Sequence, residues 1–354
     1  MLSPALAALS LLALAGPSSA RMVRAPPVLR SHLPAFAADK RGALAATSGS
    51  PNCGSDPGWK LYNSTINVTT HVGDHERTYL VHVPEDYDKN TQHPVVLSFH
   101  GYGKTAEHQE VASQLSEPGN KINGIPIIAA YPQGLVGVGR SGDGSDGKYS
   151  WQASEYSSPN ASDIQFTHTI LNELMANLCV DRTRVYATGN SNGGGFTNRL
   201  ACTRDTSARI AAFGIASGAL YPDSDRGEDC HPSRKIPLLI THGANDTVVP
   251  YKGGHPHNDN WSSPDIDKFA KGWAARNGFD ADGYNSTEVD AYNATLWTWG
   301  EDGDAGQVKR FKVRGMRHQW PSTVEGLDKQ NKSAPFNLTG QELLPFFERY
   351  SLDI

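Results

Sequence analysis

The chain has 354 residues, with 32 Lys+Arg against 37 Asp+Glu and a formal net charge of −5. That balance is too ordinary for a disordered chain, and a mildly acidic sequence without a basic run is a poor match to nucleic acid. No apolar stretch of about 20 residues lies beyond the first twenty positions, so a membrane is not expected as a partner either.

Residues 1–20 read as a secretory signal, with an apolar core over 5–15 and the small residues Ser18 and Ala20 at the exit. The usual positive n-region is missing. Residues 21–41 are basic and Pro-containing and end in Lys40-Arg41, the form of a propeptide cut by a kexin-type protease. Residues 42–354 are then expected to form a single secreted, extracellular domain, acting as a monomer. Four cysteines follow the signal, and three pairings are open. The favoured one joins Cys202 to Cys230 across a short loop and Cys53 to Cys179. Their spacing does not suit zinc. Asn63, Asn67, Asn160, Asn260, Asn285, Asn293, Asn331 and Asn337 each head an Asn-x-Ser/Thr sequon, as an extracellular glycoprotein would carry. Asn245 also matches, but its place beside a candidate catalytic residue argues that it is bare.

Strands and helices alternate along the chain. Residues 77–83 alternate polar and apolar after a Gly73-Asp74 turn and read as an antiparallel strand. Residues 95–99 and 125–131 are short apolar runs, as in buried parallel strands. Residues 137–148 form a Gly/Asp/Ser-rich loop. Its Asp143-Gly144-Ser145-Asp146 lacks the remaining ligands of a calcium loop. Ser162 and Gln165 make a capping box, and apolar residues from Ile164 to Leu178 recur at helical spacing, so a helix is expected over 163–177. Strands follow at 184–188, 210–216 and 237–242. Ser263-Pro264-Asp265 should start a helix with Pro at its first position, ending near Gly278. Residues 307–313 read as a late strand, and 339–350 as a closing helix with a Thr339/Glu342 capping box. The pattern implies an α/β fold, a mostly parallel central sheet with helices on both faces.

The chemistry begins at Gly189-Asn190-Ser191-Asn192-Gly193, between the strand at 184–188 and a helix expected over 194–202. G-x-S-x-G in that setting is a nucleophile elbow, whose tight turn exposes the serine at the top of the sheet beside helix N-terminal amides. Without that setting it would be a common Gly-rich turn. A serine nucleophile needs a base and an acid that orients it, in the order Ser, acid, His for this fold. Five histidines lie after Cys230: His231, His242, His255, His257 and His318. His318 follows the last predicted strand and is the candidate base. His242 ends a strand directly before Gly243 and reads as support for the loop. His255 and His257 flank a proline and have no clear third ligand, so they read as an ordinary polar loop. Asp246 follows the strand at 237–242 and is the candidate acid; Asp259, Asp265 and Asp267 fall in a polar loop or a helix start. The oxyanion hole is expected from the amides of Asn192 and of Tyr102, within His100-Gly101-Tyr102-Gly103 after an earlier strand.

The run from Val185 to Cys202, with Tyr131-Pro132-Gln133-Gly134, Asn177-Leu178-Cys179-Val180-Asp181, Val249-Pro250-Tyr251 after Asp246, and His318 before Trp320-Pro321, resembles carbohydrate esterase family 1 over residues 52–350. That family holds secreted feruloyl esterases and acetylxylan esterases and is related to polyhydroxybutyrate depolymerases. The resemblance implies the α/β-hydrolase fold, a Ser191–Asp246–His318 triad, no cofactor, and esters of plant cell-wall polysaccharide as substrate. Trp151 and Trp320 are candidates to stack on a feruloyl ring or a sugar, with His100 beside the site; tryptophan also serves as core. The insertion at 137–148 and the long polar stretch at 252–306 depart from the family pattern and fall where substrate loops are expected.

Overall fold

The computed structural model describes residues 48–61, 65–139, 147–152, 154–159, 162–221, 230–255, 262–327 and 334–354. The leader, the dibasic site, the sequons at Asn63, Asn160, Asn260 and Asn331, and the centre of the 137–148 loop lie outside them.

Ten strands form one sheet: β1 Ile66–Val72, β2 His75–His82, β3 His93–Phe99, β4 Ile128–Pro132, β5 Val180–Asn190, β6 Ala212–Ala216, β7 Leu238–Gly243, β8 Asn285–Val289, β9 Ala294–Trp299 and β10 Val308–Val313. Their spatial order is β1-β2-β4-β3-β5-β6-β7-β10-β9-β8. The six central strands, β4, β3, β5, β6, β7 and β10, run parallel, and an antiparallel pair closes each margin. Along β3 the side chains alternate between two cores. Val95, Leu97 and Phe99 face one, and Val96 faces the other.

The first face is covered by α2 Asp163–Asn177, α3 Asn192–Cys202 and, after the short α4 Arg204–Ser207, α5 Ile266–Arg276. Ser162 caps α2 as expected, accepting from the Gln165 amide. Burial of Phe166, Ile170, Leu171 and Leu174 fastens that helix, at about 1.5–3 kcal/mol per side chain. The second face carries α1 Ala106–Ser113 and the C-terminal segment, with Phe346 and Phe347 packed against Tyr186 and Ala212. This is the α/β-hydrolase arrangement. Both expected disulfides are present: Cys53–Cys179 ties the N-terminal segment to the foot of β5, and Cys202–Cys230 anchors the end of α3.

Three expectations are corrected. The helix after residue 262 begins two residues late, at Ile266 rather than Pro264, because Asp265 is its cap and accepts from the amides of Asp267 and Lys268. Pro264 therefore lies outside it. Thr339 and Glu342 form no capping box. Thr339 Oγ1 donates to Ser113 O, the cap position falls to Leu338, and Asn337 Oδ1 accepts from Gly340 N. The turn that follows, Thr339–Leu343, is a wide π-turn that leads into the short α6 Leu344–Phe347. Pro345 has no amide to close an ordinary turn there. The polar stretch at 252–306 is not simply a substrate loop. Much of it is α5 and the β8–β9 hairpin, which extends the sheet at its far margin.

Candidate active site

The site forms where β3, β5, β7 and β10 end. Ser191 follows β5 with φ 53° and ψ −119°, a strained backbone outside the ordinary regions. The fold holds it there from three sides. Ser191 N donates to Ala216 O, and Ser191 O accepts from the amides of Gly195 and Ala219. The elbow tolerates only glycine at its flanks. A Cβ on Gly189 would sit 2.4 Å from Gly193 O, and one on Gly193 would sit 2.3 Å from Phe99 O.

The three side chains singled out in the sequence meet. His318 Nε2 lies 2.8 Å from Ser191 Oγ, and His318 Nδ1 lies 2.8 Å from Asp246 Oδ2. Asp246 Oδ1 accepts from the amides of Val248 and Val249, each at 2.8 Å. Burial alone would push the Asp246 carboxyl up. Hydrogen bonds from His242 and His318 outweigh it and hold the group well below the usual carboxylate range. Gly243 lets the base and acid loops touch, since a Cβ there would fall 2.3 Å from Met316 O. Asn245 N donates to that same carbonyl, and Ser217 Oγ donates to Gln319 O, so the His318 loop is tied to β6 and β7.

Asn192 opens α3, and Gly101 packs directly beneath the nucleophile, its Cβ position 3.3 Å from Ser191 Cβ. Both flanks of the expected oxyanion hole are braced by one residue that the sequence reading cast otherwise. Trp151 is fully buried, stacked on Phe196 and edge-on to Phe99, so it offers no face to a substrate. Its amide donates to Asn192 Oδ1 at 2.8 Å, and its indole Nε1 donates to His100 O at 2.8 Å. Asn192 Nδ2 in turn donates to the hydroxyl of Tyr221. His100 is corrected likewise. It is fully buried, its Nε2 accepts from Gly134 N, and its Nδ1 donates to Gly101 O, so it shapes the turn rather than meeting substrate. Burial pushes its pKa down to about 4, so the ring is neutral at working pH.

A cleft enclosing about 630 Å³, open mouth included, rises over Ser191. Trp320 does line it, together with Tyr102, Lys104, His108, Ala112, Val324 and Leu327. The contribution of α1 and of residues 322–327 was missed. The buried face of α1 mixes Ala106 and Ala112 with Gln109 and Ser113, so it carries no apolar period to find. Of the sequons within the described residues, Asn67, Asn245, Asn285 and Asn293 are exposed and Asn337 is half-buried.

The probable feruloyl esterase C of Aspergillus clavatus is 30% identical over 235 residues, spanning 65% of this chain and 73% of that protein. The chain belongs to the feruloyl esterase family. Feruloyl esterase C of Emericella nidulans is 29% identical over 221 residues, covering 60% of this chain and 68% of its own. No model of a protein family matches the chain. A solved structure named FAE superposes on 80% of this chain and 88% of its own, with a TM-score of 0.51 at 14% identity, and so shares the fold. The feruloyl esterase part of the resemblance is upheld, and the chain is a carboxylic-ester hydrolase.

Proposed function

We propose that this feruloyl esterase family member hydrolyses hydroxycinnamoyl esters of plant cell-wall polysaccharide through an acyl-enzyme on Ser191. The continuous relay of 2.8 Å contacts from Ser191 through His318 to Asp246 carries the reading. His318 Nε2 accepts the Ser191 proton as Oγ attacks the ester carbonyl. The amides of Asn192 and Tyr102 receive the charge that develops on the carbonyl oxygen. His318 then protonates the leaving alcohol, and water attacks the acyl-enzyme by the same route. Asp246 keeps Nδ1 protonated and stabilises the imidazolium without taking the proton. Apolar Ala112, Trp320, Val324 and Leu327 line the cleft where the aromatic acyl group would lie.

The enzyme is read as secreted, with its leader removed and N-linked carbohydrate at exposed sequons such as Asn67, Asn285 and Asn293. The test is a panel of methyl ferulate, p-nitrophenyl acetate and acetylated xylan against the protein and its Ser191→Ala variant. Turnover of methyl ferulate that vanishes in the variant is expected. Turnover of acetylated xylan alone would move the substrate to acetyl esters, and methyl ferulate turnover retained by Ser191→Ala would refute the nucleophile.

A further inference from the structure

Asp246 receives four hydrogen bonds, and only one comes from His318. Two backbone amides fill Oδ1. Oδ2 lies 2.8 Å from His318 Nδ1 and 3.2 Å from His242 Nε2. His242 is the penultimate residue of β7 and its side chain is 1% exposed. Its Nε2 also lies 2.9 Å from Val249 O. A carbonyl only accepts, so Nε2 carries a proton, and that proton is shared between Val249 O and Asp246 Oδ2. The other nitrogen, Nδ1, is buried and has no hydrogen-bond partner among the described residues.

A histidine that merely braced the loop would need only the Val249 bond. This one also loads the carboxylate oxygen that orients the base. We propose that His242 is a positioning residue of the triad, sharing Asp246 Oδ2 with His318 and thereby setting how tightly the aspartate holds that histidine. The inference rests on the serine-esterase reading above.

Two donors on one oxygen compete for its electron density. Removing His242 leaves Asp246 more basic and free to turn. The carboxylate then favours the imidazolium of its partner more strongly, and the neutral base needed for attack forms at higher pH. The other charged or titratable groups near His242 stand one step away. Tyr251 meets the ring edge-on at 5.8 Å, with its hydroxyl on Asp267. Lys312 is the register partner of His242 on β10, and its Nζ sits over the Tyr251 ring. Of these neighbours, Asp246 is the one that His242 bonds through its side chain.

The experiment measures kcat and KM against pH for wild type, His242→Phe and His242→Gln, with p-nitrophenyl acetate, so that acyl preference plays no part. Hydrolysis by wild type and its loss in Ser191→Ala establish the serine-esterase reading separately. His242→Phe should lower kcat by about 10- to 100-fold with KM little changed. It should also move the acid limb of kcat/KM to higher pH by about half a unit to one unit. His242→Gln, whose amide keeps a donor at a similar reach, should restore the limb and most of kcat. An unmoved limb in His242→Phe overturns the proposal, as does failure of both variants to fold, since either outcome leaves His242 a purely structural residue.

Discussion

The floor of the cleft is fastened by backbone groups at close range, whereas its outer wall also leans on a long-range side-chain anchor, Gln114. On the floor, Ser191 is gripped through its own amide and carbonyl, and the elbow and oxyanion turns approach so closely that a methyl group at Gly189 or Gly193 would collide with backbone. On the wall, Ser322 Oγ, Thr323 N and Thr323 Oγ1 all donate to Gln114 Oε1, at 3.0, 3.2 and 3.3 Å. The difference separates two tasks. Bond-making atoms must be held to a few tenths of an ångström, because misplacement costs rate steeply. A wall that sorts acyl groups by size tolerates looser fixing, and discrimination there amounts to a few kcal/mol at most. Changes to the floor should therefore act on kcat, and changes to the wall on KM.

The largest departure is expected from Asp246→Asn, which keeps the shape of the floor and removes its charge. The amide misdirects the His318 tautomer, and kcat/KM for p-nitrophenyl acetate should fall by about 10³- to 10⁴-fold. The wild-type group also links pH to stability. Its folded pKa is depressed, so its contribution to stability is present above the ordinary carboxylate pKa and is lost as pH falls through the lowered value. Asp246→Asn should therefore flatten part of the acid branch of the thermal unfolding curve. A loss in kcat/KM of under ten-fold would mean that the floor does not depend on this charge.

Trp151→Phe comes next. It keeps a ring against Phe99 and Phe196 but deletes the indole donor to His100 O. One flank of the oxyanion hole loses its brace while Ser191 and His318 keep theirs. Turnover should drop by about 10- to 100-fold with KM nearly unchanged. A carbonyl left without its partner should cost about 1–3 kcal/mol in chemical denaturation. A rise in KM instead of a fall in kcat would place Trp151 with the wall.

The same division explains what could be read from the chain. The floor was legible because its demands fall on residue types. Only glycine fits two positions to either side of Ser191, and the base and acid follow strands whose apolar runs mark them. Both disulfides were foreseen as the favoured pairing, although the sequence left three open. Trp151 was misread because nothing local says whether a tryptophan stacks on a ligand or supports a turn. Its neighbours Phe99, Phe196 and Asn192 come from distant parts of the chain. The β8 strand was invisible for a different reason. At the sheet margin Asn285 to Glu288 are all exposed, so no apolar alternation exists to detect. The wall had no signature at all, since it depends on a contact between Gln114 and residues some two hundred positions later.

That contact supplies the smallest effect and the sharpest test of the division. Gln114 is the C-cap of α1 with φ 56° and ψ 22°, a left-handed conformation in which glycine is at ease. Gln114→Gly therefore removes the side-chain acceptor without burdening the helix end, and Asn120 Nδ2 can still bond the residue's carbonyl. Ser322 and Thr323 lose their shared anchor, and the segment carrying Val324 and Leu327 loosens over the cleft. KM for methyl ferulate should rise by about three- to ten-fold while kcat for p-nitrophenyl acetate stays within about two-fold of wild type. An equal loss of kcat on both esters would show that the wall transmits strain to Ser191, and the two regions would then act as one.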